Sequence, residues 1–201
     1  MRYRDLIIGL TALTVVAPSA HAQANLTPQQ KTVAEKAIGG DAQAQSDVGM
    51  MYYNGDGLPR DDGQALSWFH MSADQGNAAG EYNLGLMYLN GRGVAVDNDA
   101  AVKWLTQSAL HGLSDAQLML GLIDSAGLDG TKRDDVTSVA WMKIAAQSGN
   151  LQAQAFLDLM TAGLNAEVQA SSDDLAKTLH EKVQQALAAD PSSVTPPPAI
   201  K

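Results

Sequence analysis

Apolar residues in this chain return on one side of short stretches, and then the whole arrangement returns. From Asp61 onward, Ala65, Trp68, Phe69 and Ala73 fall on one face at helical spacing. Ahead of them the chain reads Val48-Gly49-Met50-Met51-Tyr52-Tyr53-Asn54-Gly55-Asp56-Gly57-Leu58. That run predicts a helix A over about Asp41–Tyr53, broken by two glycines able to take positive φ. A helix B follows from near Asp61 to a left-handed C-cap at Gly76. Asp61 with Gln64 predicts a reciprocal capping pair, carboxylate to backbone N–H and amide reaching back.

The arrangement recurs with a pitch of 36 residues. Gly85 and Gly121 follow Gly49 at that interval, inside Leu84-Gly85-Leu86-Met87-Tyr88 and Leu120-Gly121-Leu122-Ile123-Asp124. Asp97, Ala101, Trp104, Ala109 and Gly112 repeat Asp61, Ala65, Trp68, Ala73 and Gly76. Asp134, Trp141, Ala146 and Gly149 repeat them again, displaced by 37, with the extra residue between Gly127 and Asp134, where a loop absorbs it most easily. A period of this length means stacked supersecondary units, none able to bury its apolar face alone. A glycine in mid-helix costs about 1 kcal/mol against alanine. Gly49, Gly85 and Gly121 therefore mark places where a neighbouring backbone or a tryptophan must come close.

The ends depart from the unit. Thr27-Pro28-Gln29-Gln30 starts a helix that stands in for a helix B. Residues 151–162 resume a helix A without the glycine turn. Ser171-Ser172-Asp173-Asp174 predicts the start of a final helix to about Ala189, with Leu175, Leu179, Val183 and Leu187 on one stripe. The last residues, from Pro191, are rich in proline and are expected to be disordered.

The shared pattern, Ala-x4-Leu-Gly-x-Met-Tyr-x2-Gly-x-Gly-Val-x2-Asp-x3-Ala-x2-Trp-x4-Ala-x2-Gly, resembles the Sel-1-like repeat, a relative of the tetratricopeptide repeat. Gly80–Gly112 departs from it mainly at Gly80, where alanine is usual. The first copy has Val48 for leucine and Leu58 for valine, and the third has Asp124 for tyrosine and Asp129 for the second glycine. The resemblance implies an all-α, right-handed α-solenoid of helix-turn-helix repeats. It would hold three full units at about 41–76, 77–112 and 113–149, capped by segments 27–40 and 150–189, within a solenoid domain of residues 23–189 followed by the tail 190–201.

Charge and the first residues alter the picture in two ways. Arg2 and Arg4 precede an apolar run from Leu6 to Ala17 and the small-x-small sequence Ala20-His21-Ala22. This is the layout of a signal peptide over residues 1–22, cleaved after Ala22, which places the mature chain in the periplasm or outside the cell. No membrane insertion is expected after cleavage. The chain contains no cysteine, so packing alone must hold it together. Its formal net charge of −9, without basic clusters, speaks against nucleic acid.

Little in the chain suggests catalysis, so no enzyme activity and no cofactor are expected. His70, His111 and His180 share no metal-ligand spacing, and no nucleophile elbow is present. His111, just before Gly112, suits a helix C-terminus. Asn54-Gly55-Asp56-Gly57 fails as a calcium loop because Tyr52 and Gly63 stand where acidic ligands are needed. Trp68, Trp104 and Trp141 are expected between the helices of their units. No metal site is expected.

One stripe points elsewhere. On helix A, positions three before the signature glycine, one after and four after share a face. They read Ser46, Met50, Tyr53; Tyr82, Leu86, Leu89; and Leu118, Leu122, Ser125. The resemblance places helix A on the concave wall, so Met50, Tyr53, Tyr82, Leu86, Leu89, Leu118 and Leu122 would form an apolar ladder, flanked by Asn54 and Asn90 and rimmed by Glu81. Such a surface suits a protein or peptide partner; the competing reading is that these side chains pack between neighbouring A helices. The expectation is an exported, monomeric, non-enzymatic scaffold. Its alternatives are a periplasmic inhibitor or immunity protein, and a cell-wall or β-lactam hydrolase.

Overall fold

A computed structural model describes residues 26–127 and 133–189, and every regular element among them is a helix. The helices are α1 (Pro28–Ile38), α2 (Ala42–Asn54), α3 (Asp62–Ala73), α4 (Ala78–Asn90), α5 (Asn98–Leu110), α6 (Ser114–Ala126), α7 (Asp135–Gln147), α8 (Leu151–Thr161) and α9 (Ala166–Ala189). Helices α2, α4 and α6 are the A helices of three units, and α3, α5 and α7 are their B helices. The chain is therefore an all-α repeat array, with α1 as a lone B-type helix ahead of it. The proposed signal peptide and the proline-rich tail lie outside the described residues, as does the turn around Asp129.

Local chemistry sets the helix ends. Asp61, Asp97 and Asp134 each accept a hydrogen bond from the backbone N–H three residues on, at 2.9, 2.9 and 3.0 Å. Each A helix ends on a left-handed glycine, at Gly55 (φ 75°), Gly91 (φ 64°) and Gly127 (φ 60°). The capping aspartate is then tied back to helix A. The N–H groups of Asp61, Asp97 and Asp134 donate to the carbonyls of Tyr52, Tyr88 and Asp124 at 3.0, 3.1 and 3.0 Å. This bond corrects one half of the expected pairing of Asp61 with Gln64: the carboxylate does accept from the Gln64 N–H, but the amide does not reach back. The Asp61 N–H that the Gln64 amide was to meet is already taken, and Gln64 Oε1 is buried without a hydrogen-bond partner among the described residues. The reciprocal box occurs instead on α1, between Thr27 and Gln30. Gly76 is left-handed (φ 76°), but α3 stops before it, with Asp74 as the C-cap.

The signature glycines admit the residue that follows each tryptophan. A Cβ on Gly49 would lie 2.5 Å from the Phe69 ring, on Gly85 2.8 Å from Leu105 Cγ, and on Gly121 2.8 Å from Met142 Cγ. The closest neighbour is thus this side chain and not a tryptophan, and a backbone carbonyl also comes near at Gly85 (Ala101, 3.2 Å) and Gly121 (Ser138, 3.1 Å). Trp68 and Trp141 are buried, whereas Trp104 is half-buried and stands edge-on to His70 at 6.0 Å. His70 also shares a 3.2 Å hydrogen bond with Tyr88 Oη, and burial holds its pKa below the usual value.

The C-terminal segment does not repeat the unit. Helix α8 packs on α7 as α4 packs on α3, so it occupies the place of a fourth helix A. Helix α9 does not fold back as its helix B but packs on α7 and reaches α5. Asp158 explains the difference. It stands 37 residues after Gly121, in the place of the signature glycine, and bonds with Gln154 on the exposed side of α8. A carboxylate there bars the close approach that Phe69, Leu105 and Met142 make. Helix α9 begins at Ala166, earlier than the Ser171–Asp174 run suggested, with Asn165 accepting from the Val168 N–H at 2.9 Å. Ser172 sits mid-helix, returns its hydroxyl to the Gln169 carbonyl, and with Asp173 accepts from Lys143 Nζ at 2.9 and 2.7 Å. Leu175, Leu179 and Val183 then face the array, where Leu175 and Leu179 pack on the second core cluster and Val183 is buried.

Candidate functional site

The helix-A side is built from rows, one residue from each unit. Met50, Leu86 and Leu122 form one row, and Ser46, Tyr82 and Leu118 another. The members of both rows are half-buried or buried. Leu118 is only 6% exposed and clusters with Leu122, Ala145 and Ala153, and Tyr82 packs against the second core cluster. Burial, and then Asp115, raise the Tyr82 pKa. Leu118 and Leu122 thus lie in the seam between α6 and α8. Leu89 is half-buried.

Tyr53 lies beneath Arg92, whose guanidinium carbon is 3.7 Å from the ring centroid. The same guanidinium forms a bidentate pair with Asp62, at 3.1 and 2.6 Å. Its hydrogen bonds hold the Asp62 carboxyl below the usual carboxylate range. The second unit's turn is thereby fastened to the first unit's helix B. A Cβ on Gly93 would sit 2.5 Å from the Asp62 carbonyl oxygen, so this turn needs a bare backbone as well as positive φ (68°).

Glu81 is not on the rim. Its carboxylate is buried and accepts from His111 Nδ1 at 2.7 Å. The first unit places Gln45 and Gln75 in the equivalent positions, bonded at 2.6 Å. In the third unit Ser148 replaces the partner, and Gln117 Oε1 is left buried without one among the described residues.

One position on from the ladder lies a second face of the A helices, half-buried at Asp47, Asn83 and Met119 and exposed at its edge. Asn54, Asn90 and Ala126 are exposed along one edge, and Asn90 Nδ2 returns to the Leu86 carbonyl at 2.8 Å. Beside them runs the row Asp47, Asn83, Met119 and Phe156. This row was not singled out in the sequence, although its i, i+7 spacing to the asparagines was visible. Its character changes along the array. Asp47 is half-buried; desolvation raises its pKa against the opposing hydrogen bond from Gln43 at 2.9 Å. Phe156, at the far end, is 41% exposed, and Leu151 and Leu159 on the same helix are 84% and 76% exposed. Among the described residues, no group of three or more His, Cys, Asp or Glu could hold a metal ion, and no helix is long and apolar enough to cross a membrane.

With this geometry in view, comparison with known proteins is specific. The family model described as Sel1 repeat matches residues 42–77, 78–113 and 114–150, one match for each A–B unit with the start of the next helix A. The chain belongs to the Sel1 repeat family. A similar solved structure is c5321, described as a protective antigen present in uropathogenic Escherichia coli strains displaying an SLR fold. It is 29% identical with a TM-score of 0.69, and the match covers 86% of this chain and 37% of that one. This Sel1 repeat chain thus spans little more than a third of that relative. A Sel1 repeat protein from Oxalobacter formigenes is 34% identical, with a TM-score of 0.58, 66% of this chain and 98% of that one covered. No curated protein matches the sequence. Sel1 repeat proteins generally mediate contacts between proteins, and the fold typically serves as a non-catalytic scaffold.

Proposed function

We propose that this Sel1 repeat protein is an exported, non-enzymatic scaffold that grips a protein or peptide segment along the open side of its A helices. The observation that carries the reading is the change along that side, from Asp47 and Asn83 in the first two units to Met119 and exposed Phe156 at the end. A segment with a basic residue at one end and apolar side chains at the other complements it. Asp47 is suited to a cation, since none pairs with it among the described residues, and Phe156 and Leu159 offer apolar area that water now covers. The ladder residues Met50, Leu86 and Leu122 support this surface from beneath. Export rests on the leader over residues 1–22. A protective antigen among the similar structures suits a protein that leaves the cytoplasm.

A photo-crosslinking residue placed at Phe156, and separately at exposed His180 on α9, tests the surface in the producing cell. The expected result is a discrete adduct from position 156 that Asp47→Lys weakens, and none from position 180. Equal labelling from both positions, or none from position 156, refutes it. N-terminal sequencing of the exported protein should begin at Gln23, and a retained leader would sink the export reading.

A further inference from the structure

The amides beside Asp47 decide which cation it can take. Asp47 is half-buried on α2 and, as a carboxylate, only accepts hydrogen bonds. Gln43, one turn earlier, must therefore meet it with its amide nitrogen, and Nε2 donates to Asp47 Oδ1 at 2.9 Å. That turns Gln43 Oε1 toward α4, where Asn77 Nδ2 donates to it at 3.1 Å. Asn77 is itself buried and fixed, because its Oδ1 caps α4 by accepting from the Gly80 N–H at 2.9 Å. Each amide in this series of bonds has one possible orientation, so Gln43 is held in place from behind. The other two units lack the arrangement: Ala79 and Asp115 stand where Gln43 stands, ahead of Asn83 and Met119.

Asp47 Oδ2 has no hydrogen-bond partner among the described residues. Burial outweighs the Gln43 bond and raises the Asp47 pKa, and the Asp41 charge adds to it, so the ionised group is short of compensation. A guanidinium fork binds best to both carboxylate oxygens at once, and Gln43 already occupies one of them. An ammonium is a compact charge that one oxygen satisfies. Met50, three residues on and half-buried, offers apolar surface for an alkyl stem. We propose that Asp47 and Gln43 form a subsite that selects a partner lysine over an arginine, with Gln43 as the positioning residue and the lysine stem lying on Met50. The proposal rests on the scaffold reading and names the basic residue which that reading left open. Distance sets the rest of the segment. Asp47 and Phe156 hold equivalent positions three A helices apart, and packed helices lie about 8–10 Å apart, so the span is about 24–30 Å, or about eight residues of extended chain.

The probes are fluorescent nonapeptides, capped at both ends, with lysine and phenylalanine at opposite ends of a glycine–serine spacer and made in both chain directions. Titrated against the full chain by fluorescence anisotropy, one direction should bind saturably. Norleucine in place of the lysine should weaken binding by at least about tenfold, the loss of one charge-assisted hydrogen bond, and arginine by about threefold or more. Asp47→Asn should erase the difference between lysine and norleucine. Gln43→Ala frees Oδ1, so arginine should then bind at least as tightly as lysine while norleucine stays weak. A general attraction of an acidic chain for cations would leave the lysine-to-arginine ratio unmoved by that change. Circular dichroism of the variants checks that the helices are intact. Equal binding of lysine and arginine to the parent overturns the proposal, as does a ratio indifferent to Gln43→Ala, or a lysine advantage that survives Asp47→Asn. A norleucine peptide with a free amino terminus that matches the lysine peptide would assign the subsite to a chain terminus instead. Crosslinking from Phe156 that persists while every probe fails to bind sinks this proposal and leaves the scaffold reading standing.

Discussion

Replacing Gly85 with alanine isolates the closest contact of the array. Helix propensity favours the change by about 1 kcal/mol in a helix interior. Packing opposes it. The added Cβ would stand 2.8 Å from Leu105 Cγ, 3.1 Å from its Cδ2 and 3.2 Å from the Ala101 carbonyl oxygen. Carbon atoms are comfortable at about 3.5–4.0 Å, so α4 and α5 must separate by nearly 1 Å. Leu105 is fully buried and the obstructing atom is its branch carbon, which only a change of χ1 would move, and that would break the packing of the whole side chain. Overpacking of this kind costs about 1–3 kcal/mol, and set against the propensity gain of about 1 kcal/mol it leaves a net loss of up to about 2 kcal/mol, centred near 1. For a slope near 2 kcal/mol per molar urea, the midpoint should fall by about 0.5 M when helicity is followed by circular dichroism. The same substitution made on top of Leu105→Ala should raise the midpoint, since the methyl then enters a cavity. Gly63→Ala, where the new Cβ meets only Asp61 Oδ1 at 3.3 Å, serves as the exposed control. The reasoning fails if Gly85→Ala stabilises the parent, or if its cost persists without the Leu105 side chain.

Three other polar sites supply further tests. His111→Ala should cost roughly 3 kcal/mol in urea unfolding, because it strands the buried Glu81 carboxylate. Glu81→Gln with His111→Gln installs the Gln45–Gln75 pair of the first unit and should recover most of that; equal losses in the two variants would refute the equivalence. Asp124 is half-buried where the other units carry tyrosine, and burial followed by the Asp134 charge raises its pKa to about 6 from 3.8. Between those values the folded chain holds a proton the unfolded chain has released, so stability falls as pH rises through the window. Asp124→Asn should therefore exceed the parent at pH 7 by on the order of 1 kcal/mol, after allowance for water on its exposed side, and lose that advantage toward pH 4. A difference independent of pH would contradict the assignment. Arg92→Lys removes the bidentate pair and the stack on Tyr53 together and should lower stability by about 1 kcal/mol, read as a lower melting temperature. An unchanged melting temperature would show that the turn is held by Gly93 alone.

The repeat made the fold legible because each unit had to satisfy the same packing, so three copies voted on every position. The glycines at 49, 85 and 121 announced a close approach, and the capping aspartates announced where each helix B begins. What occupies the approach was not legible, since Phe69, Leu105 and Met142 share only bulk. Nor was the failure of Gln64 to reach back, which depends on a carbonyl, Tyr52, brought there by the turn. Which face of the A helices meets a partner was not legible either. A stripe of leucines and tyrosines on a helix is equally suited to an open wall or to a seam, and only the neighbouring helix decides. Leu118 lies in the seam because Ala153 meets it. The corresponding stripe on α8 stays open among the described residues because α9 packs on α7 and α5 instead.

Termination and exposure in this molecule therefore have one cause. Wherever glycine stands at the signature position, the next helix can lie close, and the array covers its own apolar rows. Asp158 removes that permission, and α9 leaves to pack on α7 and α5 instead. The fourth helix A keeps its seat on α7 through Ala153 but loses the partner that would have covered its other side. Leu151, Phe156 and Leu159 consequently stay exposed together on one helix, whereas the other exposed large apolar residues among those described, Ile38 and Val96, stand singly. A chain that only needed to stop could have placed polar residues there, as it does at Gln152 and Asp158. Three large apolar groups left exposed on an eleven-residue helix are what a proposed contact at this end rests on.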